Sequence, residues 1–167
     1  MPDDPAHWVA LNSIPGLGPA GLAKLLRRLG STRRIVLDTP AERLAQIASI
    51  DLHVAERIVE AGRHIDKFTR YAEKLLSEGV RIVTQGQAAY PRLLLRAPNP
   101  PPMIYMAGSC LRADENSVGI IGLTDPSEKA LLVGRECARR LAGRGCTIVS
   151  GYARGIDTAT ARAELTR

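Results

Sequence analysis

Apolar residues recur at helical spacing through the first eighty residues, and in short strand-like runs after that. Leu22, Leu25, Leu26 and Leu29 share one face of a segment whose other face carries Lys24, Arg27 and Arg28, which predicts a helix over 20–29. A short apolar segment, His7–Ser13, precedes it and ends in Ile14-Pro15-Gly16-Leu17-Gly18. Gly30 stops the helix, and Ser31 or Thr32 is placed to cap the next piece. Thr39 is placed as N-cap of a helix over 41–47, and Asp51 precedes one over 53–61. Ile65, Phe68, Ala72, Leu75 and Leu76 point inward from a longer helix over 65–77, closed by Gly79.

The pattern changes at residue 80. Residues 80–83 and 103–108 are β-type runs, separated by a local turn at 90–95 and a stiff extended bridge at 99–102, where consecutive prolines exclude helix. From Ser117 the order is strand (118–122), amphipathic helix (127–142), strand (147–151) and the start of another helix. In that first helix Leu132, Val133, Cys137, Ala138 and Leu141 cluster on one side. Short apolar strands ending in glycine on either side of a helix predict a parallel β-α-β unit. The expected class is therefore α/β. A helical domain of helix-hairpin-helix (SAM-like) type spans 1–79, and a partial Rossmann-like parallel-sheet domain spans 80–167.

Composition narrows the partners. The chain of 167 residues carries 23 Lys+Arg against 17 Asp+Glu, a net charge of +6, which favours polyanions. Residues 1–85 hold 12 basic and 10 acidic side chains, and residues 86–167 hold 11 and 7, so the excess leans toward the second part. Aromatics at 4% offer few platforms for base stacking. No apolar run is long enough for a membrane span, and the acidic start Met1-Pro2-Asp3-Asp4-Pro5 is unlike a signal peptide. The three cysteines lack the spacing of a disulfide framework or zinc site. A cytoplasmic, reduced protein without metal or cofactor is expected.

Two glycine-bearing turns carry the candidate chemistry. In the first, Gly16 and Gly18 let the chain turn tightly and present backbone N–H groups at a helix start, a site for phosphate that ignores base identity. The same glycines equally serve a packed helical scaffold, and both readings stand. A weaker copy, Ile47-Ala48-Ser49-Ile50-Asp51, puts a carboxylate where it would repel phosphate and is read as structural. In the second, Gly122 and Ser150-Gly151 end neighbouring parallel strands, so their loops converge on one crevice outside the strand ends. Arg154 and the N–H groups near Gly155 are candidate phosphate ligands there. Asp157 is read as a helix cap in preference to a catalytic acid. Ser150 lacks the elbow motif of a nucleophile, and neither a dinucleotide fingerprint nor a Walker loop occurs.

Trp8, Ile14–Gly18, Gly30-Ser31, Tyr90-Pro91, Leu93-Leu94, Pro101-Pro102, Tyr105, Gly108-Ser109, Val118–Gly122 and Ser150-Gly151-Tyr152-Ala153-Arg154-Gly155-Ile156-Asp157 occur in one colinear order. That order resembles the DNA-processing protein A family (DprA, also called Smf). The resemblance implies a non-enzymatic mediator that binds single-stranded DNA without sequence preference and loads the RecA recombinase during natural transformation, typically as a homodimer. It places the single-strand pocket in the Rossmann-like domain, at the crevice of the strand ends. The candidate DNA or phosphate ligands are therefore Gly122, Thr124, Ser150, Gly151, Arg154 and Gly155, with Gly16, Gly18 and Lys24 as candidates from the hairpin reading of the helical domain. The chain departs from the family at Gly122-Leu123-Thr124, where the family has Gly-Ser-Arg. It departs again at Ala130 for a Gly, and at Thr160-Ala161 for an Ala-His pair. The length predicts one whole helical domain and the first part of the second, as in a fragment or truncated homologue. Two other classes compete: a nucleotide-phosphate enzyme of the lysine-decarboxylase-like type, whose Pro-Gly-Gly-x-Gly-Thr loop and catalytic Glu do not appear, and a purely structural interaction module.

Overall fold

A computed structural model describes residues 4–164; Met1, Pro2 and Asp3 of the acidic start lie outside them. The chain forms two compact units, the first running through Ser109 and the second beginning at Cys110.

The first unit opens with five helices, α1 (Pro5–Asn12), α2 (Gly18–Leu29), α3 (Ala41–Ala48), α4 (Leu52–Arg63) and α5 (Ile65–Ser77), with a π-helical turn at Arg34–Asp38. Each has a local cause. The Asp4 carboxylate caps α1 by accepting from the Ala6 N–H at 2.8 Å, and Gly30, with φ +81°, ends α2 in the left-handed conformation. Thr39 does not cap α3. Its hydroxyl donates at 2.7 Å to the Arg34 carbonyl, closing the π turn, and Pro40 takes the cap position without a side-chain bond. The weaker hairpin copy keeps the shape of the first: Ser49 adopts φ +57° where Gly16 has +90°. Asp51 instead takes an extended N-cap conformation, unlike the left-handed Gly18.

Leu11, Leu25, Ile35, Leu44 and Ile58 are fully buried in one core with Trp8 and Val54. Helix α4 reaches that core by passing very close to the π turn. A Cβ on Gly62 would lie 2.2 Å from the Val36 carbonyl oxygen, so only glycine fits. Helix α5 contributes less than its periodicity predicts: Ile65 and Phe68 pack on the core, whereas Leu76 is 66% exposed.

Strands β1 (Val80–Thr84) and β2 (Met103–Ala107) pair antiparallel, with Ile82 opposite Tyr105. They belong to the first unit, because Met103 and Ile82 join the helical core. The change of pattern at residue 80 thus falls inside a compact unit, and the division comes later than the sequence suggested. Between the strands, after the one-turn helix α6 (Arg92–Leu95), the proline bridge is pinned from both sides. The Tyr90 hydroxyl donates to the Pro101 carbonyl at 2.6 Å, and the Gln85 amide donates to the Pro100 carbonyl at 2.8 Å.

The second unit holds β3 (Ser117–Gly119), α7 (Glu128–Ala142), β4 (Thr147–Val149) and α8 (Ile156–Glu164). β3 and β4 are parallel, with Ser117 opposite Thr147, and both end earlier than the apolar runs did. The Ser127 hydroxyl caps α7 by accepting from the Ala130 N–H. Of the apolar cluster predicted on α7, only Ala138 is buried; Leu132 and Val133 are more than half exposed. Helix α8 approaches at Gly134, where a Cβ would meet Thr160 Cγ2 at 3.4 Å and Ile156 Cδ1 at 3.5 Å.

Replacing Gly62 by Ala is expected to destabilise the chain by about 1–3 kcal/mol, since backbone must move to admit the methyl. Gly86→Ala, in open space at an ordinary φ, is expected to be neutral or slightly stabilising. Urea unfolding monitored by circular dichroism measures both.

Candidate nucleic-acid interface

The ends of β3 and β4 hold the motif residues of the second unit together. The ladder runs one step past the strands, with the Ile120 N–H donating to the Val149 carbonyl at 2.9 Å. The chain then loops through Gly122, Leu123 and Thr124, while the loop after β4 passes Ser150, Gly151 and Arg154 into α8.

Three bonds join these loops. The Ile156 N–H donates to the Leu123 carbonyl at 3.1 Å, the Arg154 Nε–H to the Thr124 carbonyl at 3.3 Å, and the Gly122 N–H to Asp157 Oδ1 at 3.1 Å. Asp157 is buried, so its carboxylate ties the β3 loop to the first turn of α8. The convergence is possible only without side chains at two points. A Cβ on Gly122 would stand 2.7 Å from the Ile156 Cβ, and one on Gly155 would stand 2.2 Å from the Leu123 carbonyl oxygen. Gly155 also has φ +93°, and Tyr152 before it is left-handed at +54°.

This closeness changes what the glycines do. The N–H groups expected to cradle a phosphate at the start of α8 are partly taken by the chain itself: Ile156 by the Leu123 carbonyl, Thr158 by the Ala153 carbonyl. Gly155 lets the backbone of the β3 loop approach, Gly122 admits the Ile156 side chain, and Gly151 leaves room for the Asp157 carboxylate, whose Oδ2 would lie 2.9 Å from a Cβ there. The Ser150 hydroxyl is buried without a hydrogen-bond partner, and Thr124 is exposed at the loop tip.

Charge is supplied by side chains. Arg154 is 81% exposed, and its guanidinium lies 3.9 Å from the Asp125 carboxylate, itself almost fully exposed. Such a pair is worth little in water and releases the arginine readily. Arg154, Arg135 of α7 and Arg162 of α8 line one open cleft of about 480 Å³, together with Gly155, Thr158 and Leu131. No carboxylate is among the described residues that line it. By contrast, Arg139 and Arg140 of the same helix are bound to Glu136, whose carboxyl these two hydrogen bonds, Arg140's first, hold below the usual carboxylate range. Arg135 and Arg162 were missed in the sequence. Their helical positions are plain there, but the pairing of α7 with α8 that brings them together is not.

In the first unit, Gly16 has φ +90°, and a Cβ on it would press on Val54 at 3.0 Å; Gly18 has φ +54° and faces open space. Lys24 Nζ lies 3.3 Å from the Ala48 carbonyl and from the Ser49 hydroxyl, so it caps the C-terminus of α3. It also borders a shallow basic surface with Arg27, Arg28 and Ile47. Gly16, Gly18 and Lys24 thus form a group within the first unit, separate in the chain from the Gly122–Gly155 group.

Residues 81–167 match the model of a family described as DNA recombination-mediator protein A. The chain belongs to that family. Among curated relatives, Protein Smf of Synechocystis sp. is 28% identical over 156 residues, covering 91% of this chain and 39% of the relative. Among solved structures, DNA processing protein A (DprA) of Streptococcus pneumoniae superposes with a TM-score of 0.60 at 17% identity, over 98% of this chain and 54% of that one. That likeness shows a shared fold. The chain spans about two fifths to a little over half of these relatives' lengths. The family resemblance of the motif order is thereby met in both sequence and fold. At the departures, Thr160 is buried and its hydroxyl donates to the Ile156 and Asp157 carbonyls at 3.0 Å, a purely internal role.

Asp157→Ala removes the acceptor for the Gly122 N–H and is expected to cost about 1–3 kcal/mol. Asp157→Asn keeps an acceptor oxygen and is expected to cost less. Faster amide hydrogen exchange at Gly122 in the alanine variant, measured by NMR, locates the effect at the loop junction.

Proposed function

We propose that this chain serves as a non-enzymatic recombination mediator that binds single-stranded DNA without sequence preference, through phosphates at the arginine cleft beside the β3 and β4 loops. The observation that carries the reading is the gathering of Arg135, Arg154 and Arg162 on one cleft with no carboxylate among its described lining residues. Guanidinium groups suit this task. They stay charged at any physiological pH and offer paired donors to phosphate oxygens. Because phosphates repeat along every strand, such contacts fix the position of the strand and carry no base information. The family's description as a DNA recombination mediator supports the same ligand. Asp157 is committed to the Gly122 N–H, which supports a structural rather than a catalytic role for the one buried carboxylate near the cleft. The motif resemblance extends the proposal to delivery of the strand to the RecA recombinase, to pairing of two copies, and to work in the cytoplasm. No described helix is long and apolar enough to cross a membrane.

Thr124 stands where the family carries an arginine, so this cleft relies on Arg154 and its helix-borne neighbours. Fluorescence anisotropy of a labelled oligothymidine over a salt series tests the site. Arg154→Ala is expected to weaken binding and reduce the slope of log K against log salt by about 0.7, the value for one single-strand phosphate contact. Thr124→Arg is expected to raise the slope by a similar amount. Unchanged slopes in both variants would reject the arginine cleft as the DNA site.

A further inference from the structure

The first unit carries a second surface with the chemistry of a single strand. Phe68, Tyr71 and Tyr105 line one open cleft of about 520 Å³, between α1, α5 and the exposed face of β2. They are three of the chain's six aromatic residues (one Phe, one Trp and four Tyr), gathered at one place in a protein otherwise poor in rings. Tyr71 is 49% and Tyr105 42% exposed, so each ring is anchored on one side and open on the other. Trp8 and Tyr90, by contrast, are buried.

The same cleft is lined by Lys67, Arg70 and Lys74, which follow one another along α5 at intervals of three and four residues and so share its face. None of the helix's own carboxylates, Asp66, Glu73 or Glu78, lines it. Glu78 approaches only Lys74, at 3.8 Å between exposed groups. The Tyr105 phenol is pushed up by its burial and by the nearby Tyr71 phenol, against a hydrogen bond with the Asn12 side chain that lowers it. Both tyrosines line the cleft, and the Asn12 side chain hydrogen-bonds to Tyr105.

Half-open rings beside a row of three cations, of which Lys74 meets Glu78 only in a long, exposed pair, match what a single strand requires: faces on which unpaired bases stack, and positive charge along the backbone. A buried apolar peptide would leave the cations unused, and an acidic peptide would leave the rings unused. We infer that the cleft of Tyr71, Tyr105 and Phe68, with Lys67, Arg70 and Lys74, is a second contact surface for single-stranded DNA, working by base stacking. It shares its ligand with the arginine cleft and none of its residues, so each stands or falls by its own variants.

Photo-crosslinking of the whole chain to an oligodeoxynucleotide carrying 5-iodouracil, with the adducts mapped by mass spectrometry, reads the contact directly. Adducts are expected at Tyr71 or Tyr105, and are expected to persist in Arg154→Ala. The same sequence annealed into a duplex is expected to lose them, because its bases are already stacked. Tyr71→Ala is expected to weaken oligothymidine binding by about fivefold or more, whereas Tyr71→Phe, which keeps the ring, retains it. A melting curve for each variant separates lost binding from lost folding. Adducts confined to the second unit, or unchanged affinity in a folded Tyr71→Ala, would overturn the inference. Equally strong competition by poly-glutamate would overturn it too, since it would make the surface a bare cation patch.

Discussion

A Cβ on Gly155 would collide with the backbone of Leu123 and Thr124, and one on Gly122 would collide with the Ile156 side chain. The second unit depends on the absence of those atoms. With glycine at both positions, the loop after β3 touches the first turn of α8, and the Asp157 carboxylate and Gly122 N–H can bond across the junction. Arg154 is then held at the loop tip, one residue before the left-handed Gly155, and α8 lies against α7 so that Arg135 and Arg162 border the same cleft. The electrostatics of this surface are set by backbone proximity, and the arginines themselves do little to build it.

The net charge of +6 is unevenly usable. Arg139 and Arg140 are engaged by Glu136, Arg63 by Glu60, and Lys24 by a helix end. These cations are partly neutralised or occupied in caps, and their counterions would gain little by release. Cations whose ion pairs are loose and exposed, Arg154 with Asp125 at 3.9 Å and Lys74 with Glu78 at 3.8 Å, line the arginine cleft of the second unit and the α5 row of the first. The two surfaces differ in kind. The first offers guanidinium groups alone, suited to phosphates. The second adds half-exposed rings, suited to bases.

Much of the architecture was legible because its signals are local. Gly30 after Leu29 and the periodicity of residues 53–61 and 65–77 each act within a turn or two of helix. The parallel pair was legible for the same reason, as two apolar runs flanking an amphipathic helix. What escaped were choices between equivalent local options. Thr39 had an oxygen fit for capping, and the Arg34 carbonyl took its proton instead. On α7, several apolar residues formed a plausible buried face, of which only Ala138 is buried, and α8 approaches instead beside Gly134.

The sequence by itself determined the helical first part, the β-α-β order of the second and the motif stretch ending in Gly155-Ile156-Asp157, because spacing, capping chemistry and glycine content are properties of neighbouring residues. It also determined the family. Tertiary structure alone decided that β1 and β2 join the helical core, that Asp157 serves the Gly122 N–H, and that the Ile156 and Thr158 N–H groups at the start of α8 meet the chain's own carbonyls. It alone decided which cations meet which rings. Those outcomes depend on distances between segments far apart in the chain, where a difference of an ångström or two settles whether a glycine binds a ligand or admits a neighbouring backbone.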